Sequence, residues 1–153
     1  HDRDLPTASR NDFGVCRATG NPCDIAARVG GVDEAVRRRL KDLGVVHAVF
    51  GAHDKLAAAE PLMAQMGLSW PEMAAMGDDW PDLPLLLRAG FAVAPVNAHA
   101  EVRAVAHHVT TESGGHGAAR ACCDLLLQAT GRYDALLHGH LTTLDTTSEG
   151  ARP

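Results

Sequence analysis

Aromatic side chains are nearly missing from this sequence: three Phe, two Trp and one Tyr occur among 153 residues. A core with so few rings must be filled by Leu, Val, Ala and Met. Positive charge is also short. Fourteen Lys and Arg face nineteen Asp and Glu, a formal net charge of −5 with nine His neutral. That excludes a general nucleic-acid binder, which carries a basic footprint. No apolar run approaches the ~18 residues of a spanning helix, so no membrane partner is expected. No charged-then-apolar leader opens the chain, so no secretory signal is expected. The cysteines, Cys16, Cys23, Cys122 and Cys123, form no Cys-x-x-Cys. Cys122 and Cys123 adjoin inside an expected helix and are badly placed to bridge each other. All four read as reduced thiols of a cytoplasmic protein.

What is present is an ordinary globular composition, 46% hydrophobic and 22% charged. The length fits one domain with one core. Residues 32–130 alternate strand with helix. Asp33 caps a helix that stops at Gly44, with Val36, Leu40 and Leu43 as its apolar stripe. A strand over 45–50 follows. Asp54 caps a helix over 55–66, and Pro61 inside it should kink or shorten it. Next come a buried strand 73–76, a helix 82–89 closed by Gly90, and a strand 91–96 weakened by Pro95. A short helix 101–106, a strand 108–110, a loop 114–117 and a helix 118–130 complete the pattern. Such alternation with short connections is the mark of βαβ units and a mainly parallel sheet covered by helices. The segment from 138 to 153, rich in Thr and Ser, reads as a flexible tail behind a domain over 1–137.

Residues 5–30 break the pattern. Their large aliphatic and aromatic residues are Leu5, Phe13, Val15, Ile25 and Val29, and these follow neither the helical nor the strand period. Only 13–18 reads as a weak strand.

The chemistry concentrates at 73–82, Met-Ala-Ala-Met-Gly-Asp-Asp-Trp-Pro-Asp. Asp78, Asp79 and Asp82 follow a buried strand directly. In an open parallel sheet, ligands bind beyond the carboxyl ends of the strands. Gly77 lets the chain turn out sharply, which sends Asp78 into that crevice. Clustered oxygen donors without a soft ligand suit a hard cation, most simply Mg²⁺. Asp79 and Asp82 can equally serve as helix caps. Lys55 follows another strand end, in the first turn of its helix. The helix dipole disfavours a cation there, so the position suggests anion binding, such as a phosphate.

Three segments, GAHDKL (51–56), GDDWPDLPLLLRAGFAVAPVNAHAEVRAVAHHVTT (77–111) and GGHGAARACCDLLLQATG (114–131), resemble the haloacid dehalogenase superfamily. More narrowly, they resemble its capless 3-deoxy-D-manno-octulosonate 8-phosphate phosphatases, over about residues 32–133. The resemblance implies a capless, Rossmann-like three-layer α/β sandwich, assembled as a homotetramer whose neighbours cover each other's sites. It implies Mg²⁺-dependent removal of phosphate from a sugar-phosphate small molecule, in a cytoplasmic step toward lipopolysaccharide. By motif, Asp78 would ligate Mg²⁺, with Asp79 and Asp82 as further catalytic residues supporting that site. Lys55 would bind the transferring phosphoryl. His1, Asp2, Arg3, Asp4 and Arg39 would touch substrate.

The family mechanism uses an aspartate nucleophile and an aspartyl-phosphate that water hydrolyses. An aspartate two residues later acts as acid and base. The Asp-x-Asp-Gly motif that carries both is nowhere in these 153 residues. Asp2-Arg3-Asp4 has the spacing but neither the Gly nor a strand before it. The Thr-Gly-Arg of the second strand has only Thr19-Gly20 as a candidate, and His116 replaces the Arg of the Gly-Gly-Arg-Gly loop. The resemblance stops after Asp4 and resumes near Val32, as a frame-shifted stretch of coding DNA would produce. The first strand of the sheet is therefore expected to be missing, and little or no turnover is expected from the chain as written. A remnant that binds phosphate or docks to an oligomer is the alternative, as is a capless relative acting on another sugar phosphate.

The remaining residues read as structural. His107 and His108 would face opposite sides of a strand and cannot easily share one ion. His138 and His140 have no third ligand in view. His47 reads as a packing residue, Trp70 and Trp80 as covers of the sheet ends, and Arg37-Arg38-Arg39 as a solvated helix face.

Overall fold

The computed structural model describes residues 13–17, 25–29, 34–42, 47–50 and 54–148. Its strands are β1 (Phe13–Arg17), β2 (Ile25–Val29), β3 (His47–Phe50), β4 (Met73–Met76), β5 (Phe91–Ala94) and β6 (His108–Val109). Its helices are α1 (Glu34–Asp42), α2 (Lys55–Met66), α3 (Leu83–Arg88), α4 (Ala100–Val105), α5 (Ala118–Ala129) and α6 (Tyr133–Ser148). Two 3-10 turns, Trp70–Glu72 and Trp80–Asp82, flank β4.

The sheet order is β3-β2-β1-β4-β5-β6. The pairs β2–β3, β4–β5 and β5–β6 are parallel, as the alternation of elements predicts. The centre departs from expectation. The gap foreseen for a missing first strand is filled by β1, which lies between β2 and β4 and runs antiparallel to both. Val15 sits opposite Ala26 on one side and Ala75 on the other. The connection 18–24 explains the direction. A parallel crossover takes about a dozen residues or more, so strands joined by this short link must oppose each other. β2 carries no readable period, and its pairing with β3 gives it strand form.

The core is aliphatic, as the shortage of rings requires. Ala59, Met63, Met66, Met73, Ala75, Leu85, Leu86, Ala92, Ala94 and Val102 are buried in one cluster. Leu56, Leu62, Trp70 and Leu83 pack against its margin. α3 packs on β4 and β5 and touches both α2 and α4, which anchors the β4 end where the acidic residues lie.

One local expectation needs correction. Pro61 does not shorten α2, which runs unbroken from Lys55 to Met66. Pro61 and Ala57 are both exposed, so the carbonyl that loses its partner can meet water. β5 stops at Ala94, before Pro95, and the next residues turn through an Ala98 N–H to Pro95 carbonyl bond of 2.9 Å. The stretch expected as a tail from 138 is helical to Ser148, as part of α6. Thr142 and Thr143 contribute to that order. Their hydroxyls donate back to the carbonyls of His138 and Gly139 at 2.7–3.1 Å.

Candidate active site

β4 delivers the chain to Gly77, whose N–H donates to the Val93 carbonyl at 3.2 Å. Gly77 is buried, and a Cβ there would stand 2.4 Å from the Asp82 Cβ. Only a residue without a side chain lets the acidic turn fold back onto the strand end. Asp79 then caps the Trp80–Asp82 turn, accepting the Trp80 N–H at 2.8 Å. Asp82 closes the reciprocal box: its Oδ2 accepts the N–H groups of Asp78 at 3.0 Å and Asp79 at 3.1 Å.

The other oxygen of Asp82 meets Lys55. The Lys55 ammonium donates to Asp82 Oδ1, and both residues are buried, at 2% and 1% exposure. Lys55 opens α2, where Asp54 caps the helix by accepting the N–H groups of Leu56 and Ala57, each at 3.0 Å. A lysine at a helix N-terminus opposes the dipole, and the Asp82 carboxylate offsets that cost. The two helix starts are thus joined through one buried ion pair.

Asp78 lies beside this pair, half-buried. Burial raises its pKa above the ordinary 3.8, and the Asp82 charge raises it further. The Lys55 ammonium pulls the other way, Asp79 adds to the rise, and the residue's own backbone hydrogen bond lowers it. Its carbonyl accepts the His99 N–H at 2.9 Å. His99 in turn receives the Trp80 indole N–H on Nδ1 at 3.0 Å, and Glu101 contacts the same ring nitrogen.

The structure therefore brings together Lys55, Asp78, Asp79 and Asp82 from sites 27 residues apart. Arg39 is an exposed residue of α1. His1, Asp2, Arg3, Asp4 and Thr19-Gly20 lie outside the described residues. His99 and Asn97 went unnoticed in the sequence. Asn97 Oδ1 accepts the Gly114 N–H at 2.8 Å and ties the glycine loop to the turn after β5. The available signal was their position just past a strand's carboxyl end.

Among the described residues, no three His, Cys, Asp or Glu side chains converge as a metal cage. The donor chemistry is narrower. Asp82 uses both oxygens within the protein, and Asp79 spends one on its cap. Asp78 is left as a hard-oxygen donor whose charge is held back by burial and neighbouring carboxylates. That fits Mg²⁺, which binds through one or two carboxylates and completes its shell with water and phosphate.

A mainly parallel α/β sheet with an acidic turn and a buried lysine at its carboxyl rim defines a Rossmann-like hydrolase domain. Residues 43–121, just over half the chain, match the haloacid dehalogenase-like hydrolase family. The chain belongs to that family. A 3-deoxy-D-manno-octulosonate 8-phosphate phosphatase of Salmonella typhi is 36% identical over 126 residues, covering 82% of this chain and 66% of the relative. The Escherichia coli K12 enzyme of the same name is 34% identical over 125 residues, with the same coverage. The chain thus spans just under two thirds of the length of these relatives. Among solved structures, the Moraxella catarrhalis phosphatase in complex with magnesium, phosphate and KDO superposes with a TM-score of 0.72 at 37% identity. It covers 75% of this chain and 66% of that one. The cobalt-bound Haemophilus influenzae phosphatase gives 0.68 at 35% identity, covering 71% of this chain and 63% of that one. No described helix is long and apolar enough to cross a membrane.

Proposed function

We propose that this chain carries the cation- and phosphate-holding half of a Mg²⁺-dependent phosphatase site for 3-deoxy-D-manno-octulosonate 8-phosphate. The observation that carries the reading is the buried Lys55–Asp82 pair set against the half-buried carboxylate of Asp78. The names of the relatives support the substrate, and the magnesium, phosphate and KDO in the Moraxella structure support the ligand classes.

Each residue has a task. Asp78 is the carboxylate that would hold Mg²⁺, which supplies charge neutralisation at the phosphoryl oxygens. Asp82 accepts from Lys55 and from two backbone N–H groups, so it fixes the ammonium and the Asp78 backbone together. Lys55 has three donors and gives one to Asp82, leaving N–H groups for a phosphoryl oxygen. Asp79 shapes the turn through its cap. His1, Asp2, Arg3, Asp4 and Arg39 are assigned to the substrate by motif.

The nucleophilic aspartate has no counterpart in the sequence. For these 153 residues taken by themselves the reading is ligand binding with little turnover, in a domain over 1–137. Homotetramer assembly and a cytoplasmic place belong to the same proposal. The non-catalytic alternative draws on one specific observation: the sheet centre is taken by a reversed strand without an acidic residue, Phe13–Arg17. Phosphate release from the sugar phosphate, assayed with Mg²⁺ on the purified chain, tests both. Binding without release is the expected result. Release that disappears in Asp78→Ala overturns the low-turnover reading, and absence of any phosphate or Mg²⁺ binding overturns the site itself.

A further inference from the structure

Trp80 is 58% exposed, an unusual setting for the largest apolar side chain. It is nevertheless held in one orientation. Its indole N–H donates to His99 Nδ1 at 3.0 Å, and the two rings meet edge to face with centroids 5.1 Å apart and planes at 71°. Its backbone N–H is fixed by Asp79. His99 is fixed in turn by its N–H to the Asp78 carbonyl at 2.9 Å.

Placement gives this pair its meaning. Trp80 follows β4 and His99 follows β5, two adjacent parallel strands. The rings therefore bridge the loops at the carboxyl rim, where ligands of an open sheet bind. Trp80 is two residues from Asp78. An exposed ring that has lost its freedom to a hydrogen bond gives little entropy away on binding, and its N–H is already satisfied. What it still offers a ligand is apolar ring surface. The C–H faces of a sugar match that surface, whereas an inorganic phosphate does not.

We infer that Trp80, positioned by His99, is the platform for the sugar part of the phosphorylated substrate and determines specificity for it over bare phosphate. This rests on the phosphatase reading above and adds a residue to it.

The test is calorimetric titration of the full chain, in Mg²⁺, with two probes: KDO and inorganic phosphate. Trp80→Ala is expected to weaken KDO binding about tenfold and to leave phosphate binding unchanged. Trp80→Phe, which keeps a ring, is expected to retain most of the KDO affinity. His99→Ala is expected to weaken KDO binding by a smaller factor and to shift the Trp80 fluorescence emission, which a change in bulk stability alone would not do. Equal KDO affinity in wild type and Trp80→Ala overturns the inference. So does an equal loss for both probes, because Trp80 would then only support the turn. A change of oligomeric state in Trp80→Ala overturns it too, since the ring would be an interface residue. If wild type binds neither probe, the phosphatase reading itself fails. That outcome is distinct from failure of the Trp80 assignment.

Discussion

Lys55 and Asp82 pair through their side chains from 27 residues apart, and each side chain is only 1% exposed. The pair joins the first residue of α2 to the turn that ends β4. It is the point at which two βα units share one electrostatic joint.

Breaking this joint on one side leaves a buried charge alone. Lys55→Met and Asp82→Asn are each expected to cost about 3–5 kcal/mol, and the double variant is expected to cost less than the sum of the two. Urea unfolding of the four proteins of this cycle measures the coupling. Additive losses would show that the two groups stabilise the fold independently.

Gly77 has no room for a methyl group, since a Cβ would lie 2.4 Å from the Asp82 Cβ and 2.8 Å from its Oδ2. Gly77→Ala is expected to cost about 1–3 kcal/mol through displacement of the Asp82 turn. Thermal unfolding reads the loss, and Mg²⁺ affinity should fall with it.

Asp78 has a pKa above the ordinary 3.8, with burial the main cause. The folded state thus binds its proton more tightly than the unfolded state. Stability is lost as pH rises from 3.8 through the raised value, and the penalty remains at neutral pH. In metal-free buffer, Asp78→Asn is expected to unfold at a higher temperature than wild type at pH 7. The difference should close as pH falls toward 3.8. Added Mg²⁺ should stabilise wild type and leave Asp78→Asn unmoved. Melting curves at several pH values, with and without the ion, check the sign.

Burial pushes the Cys122 thiol up from 9.0 to about 11, with the neighbouring Cys123 adding to the rise. Little thiolate exists at pH 8, so alkylation of Cys122 in the native protein should be slower than in the urea-unfolded chain. Mass mapping of iodoacetamide adducts reads the two rates. Equal rates would mean that the α5 face carrying Cys122 is open.

His107 accepts the Ala92 N–H on Nδ1 at 2.8 Å and returns its own N–H to the Ala92 carbonyl at 2.8 Å. His107→Ala removes the acceptor from a fully buried strand residue and is expected to cost about 1–3 kcal/mol. His107→Asn, whose amide oxygen can also accept, should recover part of that loss in the same denaturant titration.

Much of this was legible in the residues alone. Period and punctuation placed α2, β4, β5, α4 and α5 within a residue or two, because Asp54, Gly90 and Pro95 act locally through caps and turns. Gly77, Asp78, Asp79 and Asp82 marked a strand-end site because so many carboxylates crowd one turn. Lys55 stood out because a cation is wrong for a helix start.

The chain of residues could not say who meets whom across the sheet. Partnership of Lys55 with Asp82 depends on α2 packing against α3, and that of Trp80 with His99 on β4 and β5 lying side by side, which are properties of the assembled domain. The direction of β1 was likewise decided in three dimensions. A stretch with no period of its own took the central place, and its direction followed from the short 18–24 link. Local order is written in spacing, whereas contacts between distant segments arise only when burial of the shared core brings them together.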